Sequence, residues 1–186
     1  MNVAILSSNS DKISNYYINQ ARIISNDLAT RGFDLVFGGC SFSMMGACYK
    51  EFVQNNRKIY SYTTEKYKDD IINMPDAKHC VEKTTFDLKK ALFRKADLIV
   101  ALAGGIGTLS EVLSFLEENR SNDLNVPIII YDTNNYYYHL IELLKTMTDN
   151  CFLNIDNIMK YIIIINNHQE WLEYIDNFKL KRGMIK

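Results

Sequence analysis

Short apolar runs alternate with longer amphipathic stretches along the whole chain. Seven of the short runs read as strands: Asn2–Ser7, Phe33–Phe37, Arg57–Tyr62, Lys78–Lys83, Asp97–Leu102, Pro127–Tyr131 and Tyr161–Ile165. Asp97–Leu102 is almost continuously apolar, as a strand covered on both faces should be. Between the strands, apolar residues recur at helical spacing. Tyr17, Ala21, Ile24 and Leu28 mark a helix over Tyr16–Arg31, with Ser10 or Asp11 as its expected cap and Gly32 as its stop. Helices are also expected over Ala47–Asn56, Thr85–Lys95, Thr108–Asn119, Asn135–Thr148 and His168–Lys179, with a short one within Cys151–Lys160. Trp171, Leu172 and Ile175 face inward from the last long helix. Thr63–Ala77 is polar and contains Pro75, so it reads as a mobile connection with about one helical turn, and Ser121–Val126 reads as a loop. The alternation predicts an α/β fold, a doubly wound, mostly parallel sheet of about seven strands with helices on both faces. At 186 residues it forms one domain, 1–186.

The strand ends carry the candidate chemistry. In Ala96–Glu111 (ADLIVALAGGIGTLSE) a strand runs through a glycine loop into a helix. Gly104, Gly105 and Gly107 let a ligand approach the backbone closely. The unpaired N–H groups and dipole of the helix starting near Thr108 favour an anion there. Glu111, on the first turn, is poorly suited to hold a phosphate and well placed to act on whatever the phosphate anchors. No Lys-Ser/Thr pair follows the glycines, so this is not a Walker A loop, and the spacing G-G-x-G-T is not G-x-G-x-x-G. The competing reading is a tight strand–helix turn with no ligand. A second glycine loop, Gly38-Gly39-Cys40-Ser41, follows the second strand and leads to Met44-Met45-Gly46, the methionines read as core packing. Two such loops on neighbouring strands would face each other across one crevice. Ser7 opens a small polar run at the end of the first strand, where it serves either as ligand contact or in helix capping. Lys89, Lys90, Arg94 and Lys95 make Thr85–Lys95 basic; this reads as a solvated face from which Lys89 is the candidate to reach the crevice.

Charge and cysteine content narrow the function classes. With 21 Lys+Arg against 22 Asp+Glu, nothing draws the chain to nucleic acid or to an anionic membrane. No apolar run approaches the roughly 18–20 residues of a membrane span, and the start lacks the basic segment and cleavage site of a secretory leader. Cys40, Cys48, Cys80 and Cys151 are widely spaced and fit reduced thiols in a cytoplasmic protein. His79, His139 and His168 show no metal-ligand spacing, so no metal or cofactor is expected.

Three segments together resemble one family. They are Ala29–Gly39 continuing to Met45-Gly46, Arg94–Glu111, and Val126–Tyr131 with Tyr136-Tyr137. The chain resembles the LOG family, cytokinin-activating phosphoribohydrolases long labelled lysine decarboxylases, whose signature is P-G-G-x-G-T-x-x-E. The resemblance implies a Rossmann-like fold, a homodimer, and hydrolysis of a nucleoside 5′-monophosphate to free base and ribose 5-phosphate. It implies that Gly104, Gly105, Gly107 and Thr108 hold the phosphate, that Glu111 is the catalytic carboxylate, and that Lys89 matches the Lys of the family's Arg-Lys pair. Leu88 stands where that pair has Arg. Ala103 replaces the signature Pro, Cys40 a Gly, Phe42-Ser43 a Gly-containing stretch and Ser110 a frequent Glu. Leu88 brings in a second reading, a nucleotide-binding sensor or carrier without catalysis. A third is deoxyribosyl transfer between bases. Lysine decarboxylation finds no site for its lysine-bound cofactor.

Overall fold

The computed structural model describes residues 1–122, 124–153 and 160–183. Its strands are β1 (Asn2–Leu6), β2 (Asp34–Phe37), β3 (Ile59–Thr64), β4 (Ala77–Glu82), β5 (Leu98–Ala101), β6 (Ile128–Tyr131) and β7 (Ile162–Ile165). Its helices are α1 (Asn15–Thr30), α2 (Ser43–Gln54), α3 (Thr85–Lys95), α4 (Ile106–Asn122), α5 (Tyr138–Asp149) and α6 (His168–Gly183), with 3-10 segments at Glu65–Ile71 and Thr133–Asn135. The strands form one sheet in the order β4-β3-β2-β1-β5-β6-β7. All six pairings are parallel.

The side-chain period of two explains the apolar runs. Val3, Ile5, Leu35, Phe37, Leu98 and Val100 pack on one face of the sheet, in a core with Leu28 of α1, Phe52 of α2 and Trp171 of α6. Ala4, Leu6, Val36, Ile99 and Ala101 pack on the other, with Leu92 of α3 and Val112 and Phe115 of α4. Strands sandwiched this way are apolar at every position. The edge strand β4 is mostly exposed and carries Lys78 and Glu82, charges that discourage edge-to-edge pairing.

Several boundaries differ from expectation, each for a local reason. The cap of α1 is Ser14, whose side chain accepts the Tyr16 N–H at 3.3 Å, so Ser10 and Asp11 stay in the loop above β1. Gly32 follows the helix at φ +88°, a left-handed turn that ends it. Helix α2 begins at Ser43, which takes Met44, Met45 and Gly46 out of the loop. Helix α4 begins at Ile106, which brings Gly107 and Thr108 into its first turn, and runs to Asn122. The Thr84 hydroxyl caps α3, accepting from the Asp87 N–H at 3.2 Å and donating to its carboxylate at 2.7 Å. The short helix expected within Cys151–Lys160 falls on 154–159, outside the described residues. No helix of the described residues is long and apolar enough to cross a membrane.

Candidate active site

The sheet order fixes where a ligand can sit. From β1 the chain winds outward through β2, β3 and β4, then returns to β5 on the other side of β1. Ligands in open α/β sheets bind above the strand ends at such a reversal. A crevice of about 430 Å³ lies there. The two glycine loops both line it, but they are not on neighbouring strands: β2 and β5 flank β1, and Ser7, Ser8 and Asn9 lie between.

The β5 side has geometry suited to an anion. The first helical bond of α4 runs from the Leu109 N–H to the Gly105 carbonyl at 3.0 Å, which leaves the N–H groups of Ile106, Gly107 and Thr108 without helical partners. A Cβ added at Gly105 or Gly107 would meet nothing within 4 Å. Neither has positive φ, so the fold does not require glycine at either position and the missing side chains leave room above the N–H groups. The Thr108 hydroxyl donates to the Ser7 carbonyl at 3.3 Å, tying α4 to β1, so what Thr108 can offer a ligand is its backbone. Two residues from beyond β6 brace the loop: Tyr136 donates to the Gly104 carbonyl and Tyr137 to the Leu102 carbonyl, each at 2.6 Å. The aromatic pattern of that segment was visible in the sequence; its target was not.

Glu111 lines the crevice one turn into α4 and is half-buried. Burial pushes its carboxyl up to about 7, against the opposing pull of the Lys89 charge. Lys89 itself does not line the crevice. Its ammonium donates to Ser110 Oγ at 2.6 Å and Ser114 Oγ at 3.3 Å, in the outer groove between α3 and α4. Leu88 points the other way and does line the crevice. No lysine, arginine or histidine side chain does so among the described residues.

The Ser7 hydroxyl is buried and makes no hydrogen bond among the described residues. The side chain faces the thiol of Cys48, as does that of Ser25. The far wall holds Gly38, Gly39 and Cys40 at the end of β2, with Thr63 near the end of β3 and Tyr67 and Asp70 on the 3-10 segment after it. Of these, Thr63, Tyr67 and Asp70 were missed in the sequence, because a polar connection carries no signal separating lining from solvent-facing positions. Burial pushes the Cys40 thiol up, and the nearby Asp70 carboxylate adds to the rise. Gly39 has φ +70°, and a Cβ there would lie 2.2 Å from Ser61 Oγ and 3.1 Å from Ile71 Cγ2. We expect Gly39→Ala to lower stability by about 2–4 kcal/mol, the sum of left-handed strain and overpacking; chemical denaturation checks this, and a loss below about 1 kcal/mol contradicts it. The described residues contain no group of three or more His, Cys, Asp or Glu that could hold a metal ion.

Comparisons with known proteins bear on the family and the fold. The family model described as possible lysine decarboxylase matches residues 45–175, a span that includes the anion seat and Glu111. Cytokinin riboside 5′-monophosphate phosphoribohydrolase LOG2 of Arabidopsis thaliana is 22% identical over 163 residues, covering 87% of this chain and 76% of its own. Probable cytokinin riboside 5′-monophosphate phosphoribohydrolase LOGL3 of Oryza sativa subsp. japonica is also 22% identical over 163 residues, covering 87% and 77%. The molybdenum cofactor carrier protein of Chlamydomonas reinhardtii superimposes with a TM-score of 0.70 at 15% identity, over 95% of this chain and 96% of that one, a likeness of fold.

Proposed function

This chain belongs to the LOG family, the family described as possible lysine decarboxylase, and from that premise we propose that it hydrolyses the N-glycosidic bond of a nucleoside 5′-monophosphate. The observation that carries this reading is Glu111, a half-buried carboxyl one turn into the helix whose N-terminus would seat the anion. With the 5′-phosphate on the free N–H groups of α4, the ribose lies beside Glu111. The C1′–N electron pair leaves with the base, which takes up a proton. Water adds to C1′ and gives up a proton to Glu111, which releases it to solvent, while the departing base takes its proton from solvent, so each turnover neither gains nor loses a proton. The carboxylate stabilises the oxocarbenium-like ribose and orients the water. Lys89 acts through Glu111, as a charge that holds its carboxyl lower than burial alone would.

The ionisation of Glu111 sets the expected pH dependence. Its carboxylate form grows as pH rises through about 7. Hydrolysis should therefore climb about tenfold per unit below that point and level off above it. Lys89→Met should move the inflection upward. A kcat/KM profile with no inflection between pH 6 and 8 contradicts the assignment. The test of the function is turnover of a panel of nucleoside 5′-monophosphates, with free base and ribose 5-phosphate followed by chromatography.

A second reading, a nucleotide carrier or sensor, has its own observation. Leu88 faces the crevice where the family Arg stands, and no cationic side chain lines it among the described residues. Tight binding with no base release would select this reading. Decarboxylation through a lysine-bound pyridoxal phosphate does not fit, since among the described residues no lysine amine lines the crevice. We include a homodimer in the proposal; the groove between α4 and α5, bordered by exposed Leu113, Leu143 and Phe152, is an apolar surface suited to a second copy.

A further inference from the structure

The crevice wall opposite the anion seat carries a hydrogen-bond acceptor with no donor. Asp70 lies on the 3-10 segment after β3, half-buried and lining the crevice. Its carboxylate makes no hydrogen bond or ion pair among the described residues, and the crevice supplies no cation to pair with it.

The position of Asp70 is set by packing rather than by a free loop. Gly39 allows Ile71 to close onto the end of β2. On the far side of the segment Met74 is fully buried, and the Tyr49 hydroxyl donates to the Asp76 carboxylate at 2.9 Å. The anion seat follows β5 and Asp70 follows β3, three strand spacings apart in the sheet order, or roughly 14 Å. A nucleoside monophosphate bridges such a gap, with phosphate at α4, ribose beside Glu111 and the outer edge of its base toward Asp70.

Resting on the nucleotide reading, we propose that Asp70 reads the base, selecting those that present an exocyclic amino group. Adenine, guanine and cytosine bring an N–H donor to the carboxylate. Hypoxanthine and uracil offer a carbonyl oxygen where adenine and cytosine carry the amine, and their ring N–H lies one position along the edge, so a carboxylate fixed at the amine position meets an acceptor. A half-buried acceptor left unpaired costs affinity by about 10- to 100-fold. Tyr67, 45% exposed in the same wall, adds an aromatic surface beside the base.

AMP and IMP differ only along this edge, in the 6-substituent and in N1, which accepts in AMP and carries a hydrogen in IMP, and they make the cleanest pair. Affinities for AMP, GMP, CMP, IMP, UMP and the base-free probe ribose 5-phosphate would be measured by calorimetry on Glu111→Gln protein, which suppresses turnover. The same titrations would be run with Asp70→Ala and Asp70→Asn added. AMP should bind at least about tenfold more tightly than IMP. Asp70→Ala should remove that gap and leave ribose 5-phosphate unchanged. Asp70→Asn should narrow or invert it, since an amide can donate to the IMP carbonyl. Because Asp70 has no hydrogen-bond or ion-pair partner to lose among the described residues, melting temperatures should stay within a few degrees of the parent. Equal affinities for AMP and IMP, or a gap that survives Asp70→Ala, would overturn the proposal while leaving the nucleotide reading intact. So would an Asp70→Ala loss that is the same for every base and appears only with magnesium ions, which would assign the carboxylate to a metal. Failure of every probe, ribose 5-phosphate included, would remove the nucleotide reading and the base subsite with it.

Discussion

Glu111→Gln is expected to lower base release by about 10²–10⁴-fold, the range for a positioned acid–base or electrostatic group, while making the protein more stable at alkaline pH. The sign of the second effect follows from the carboxyl's rise from 4.5 to about 7. Between those values the folded chain holds a proton that the unfolded chain has released. Stability therefore falls as pH rises through that window, and the full cost is present above it. At pH 8 that cost is on the order of 3 kcal/mol. Glutamine carries no such cost, so the variant should melt higher than the parent at pH 8, and the difference should vanish near pH 4. Lost turnover with gained stability separates a functional carboxylate from a structural one. A variant with parental turnover, or one destabilised at pH 8, would show that Glu111 has a different role.

Gly107→Ala is expected to reduce affinity for nucleoside monophosphates and ribose 5-phosphate by about 10- to 100-fold for each charge-assisted hydrogen bond its methyl group blocks. The fold should not suffer. Gly107 lies on the first turn of α4 without positive φ, and its Cβ would enter empty space. Alanine is the better helix former by up to about 1 kcal/mol, so the melting temperature should hold or rise. Gly105→Ala should behave alike, whereas Gly39→Ala should lose stability. Calorimetric titration beside thermal melts reads both quantities. Undiminished affinity in Gly107→Ala would place the phosphate elsewhere.

These residues show which features a linear reading reaches. Gly105, Gly107 and Glu111 sit within seven positions of one another, so a strand–loop–helix pattern brings them together on the crevice without long-range information, whereas Gly104 packs against Thr108 and does not line it. Lys89 was less legible. Its helix was correctly bounded at Thr85–Lys95, but the direction of the ammonium depends on Ser110 and Ser114, which reach it only when α3 packs beside α4. The adjacent Leu88 takes the crevice side instead. The Ser7 hydroxyl, at a strand end that reads as ligand-facing, turns to the buried thiol of Cys48.

Periodicity along the chain was enough to predict seven strands, their alternation with helices and the glycine loop that leads into α4. Each of these follows from spacings of two or about 3.6 residues and from glycines next to a strand end. The strand order was not in the pattern, because parallel pairing joins segments by hydrogen bonds that leave no mark on local composition. That order places β1 between the two glycine loops and brings Asp70 to the wall opposite Glu111. The raised carboxyl of Glu111 belongs to the same class, since desolvation is produced by neighbours far away in the chain.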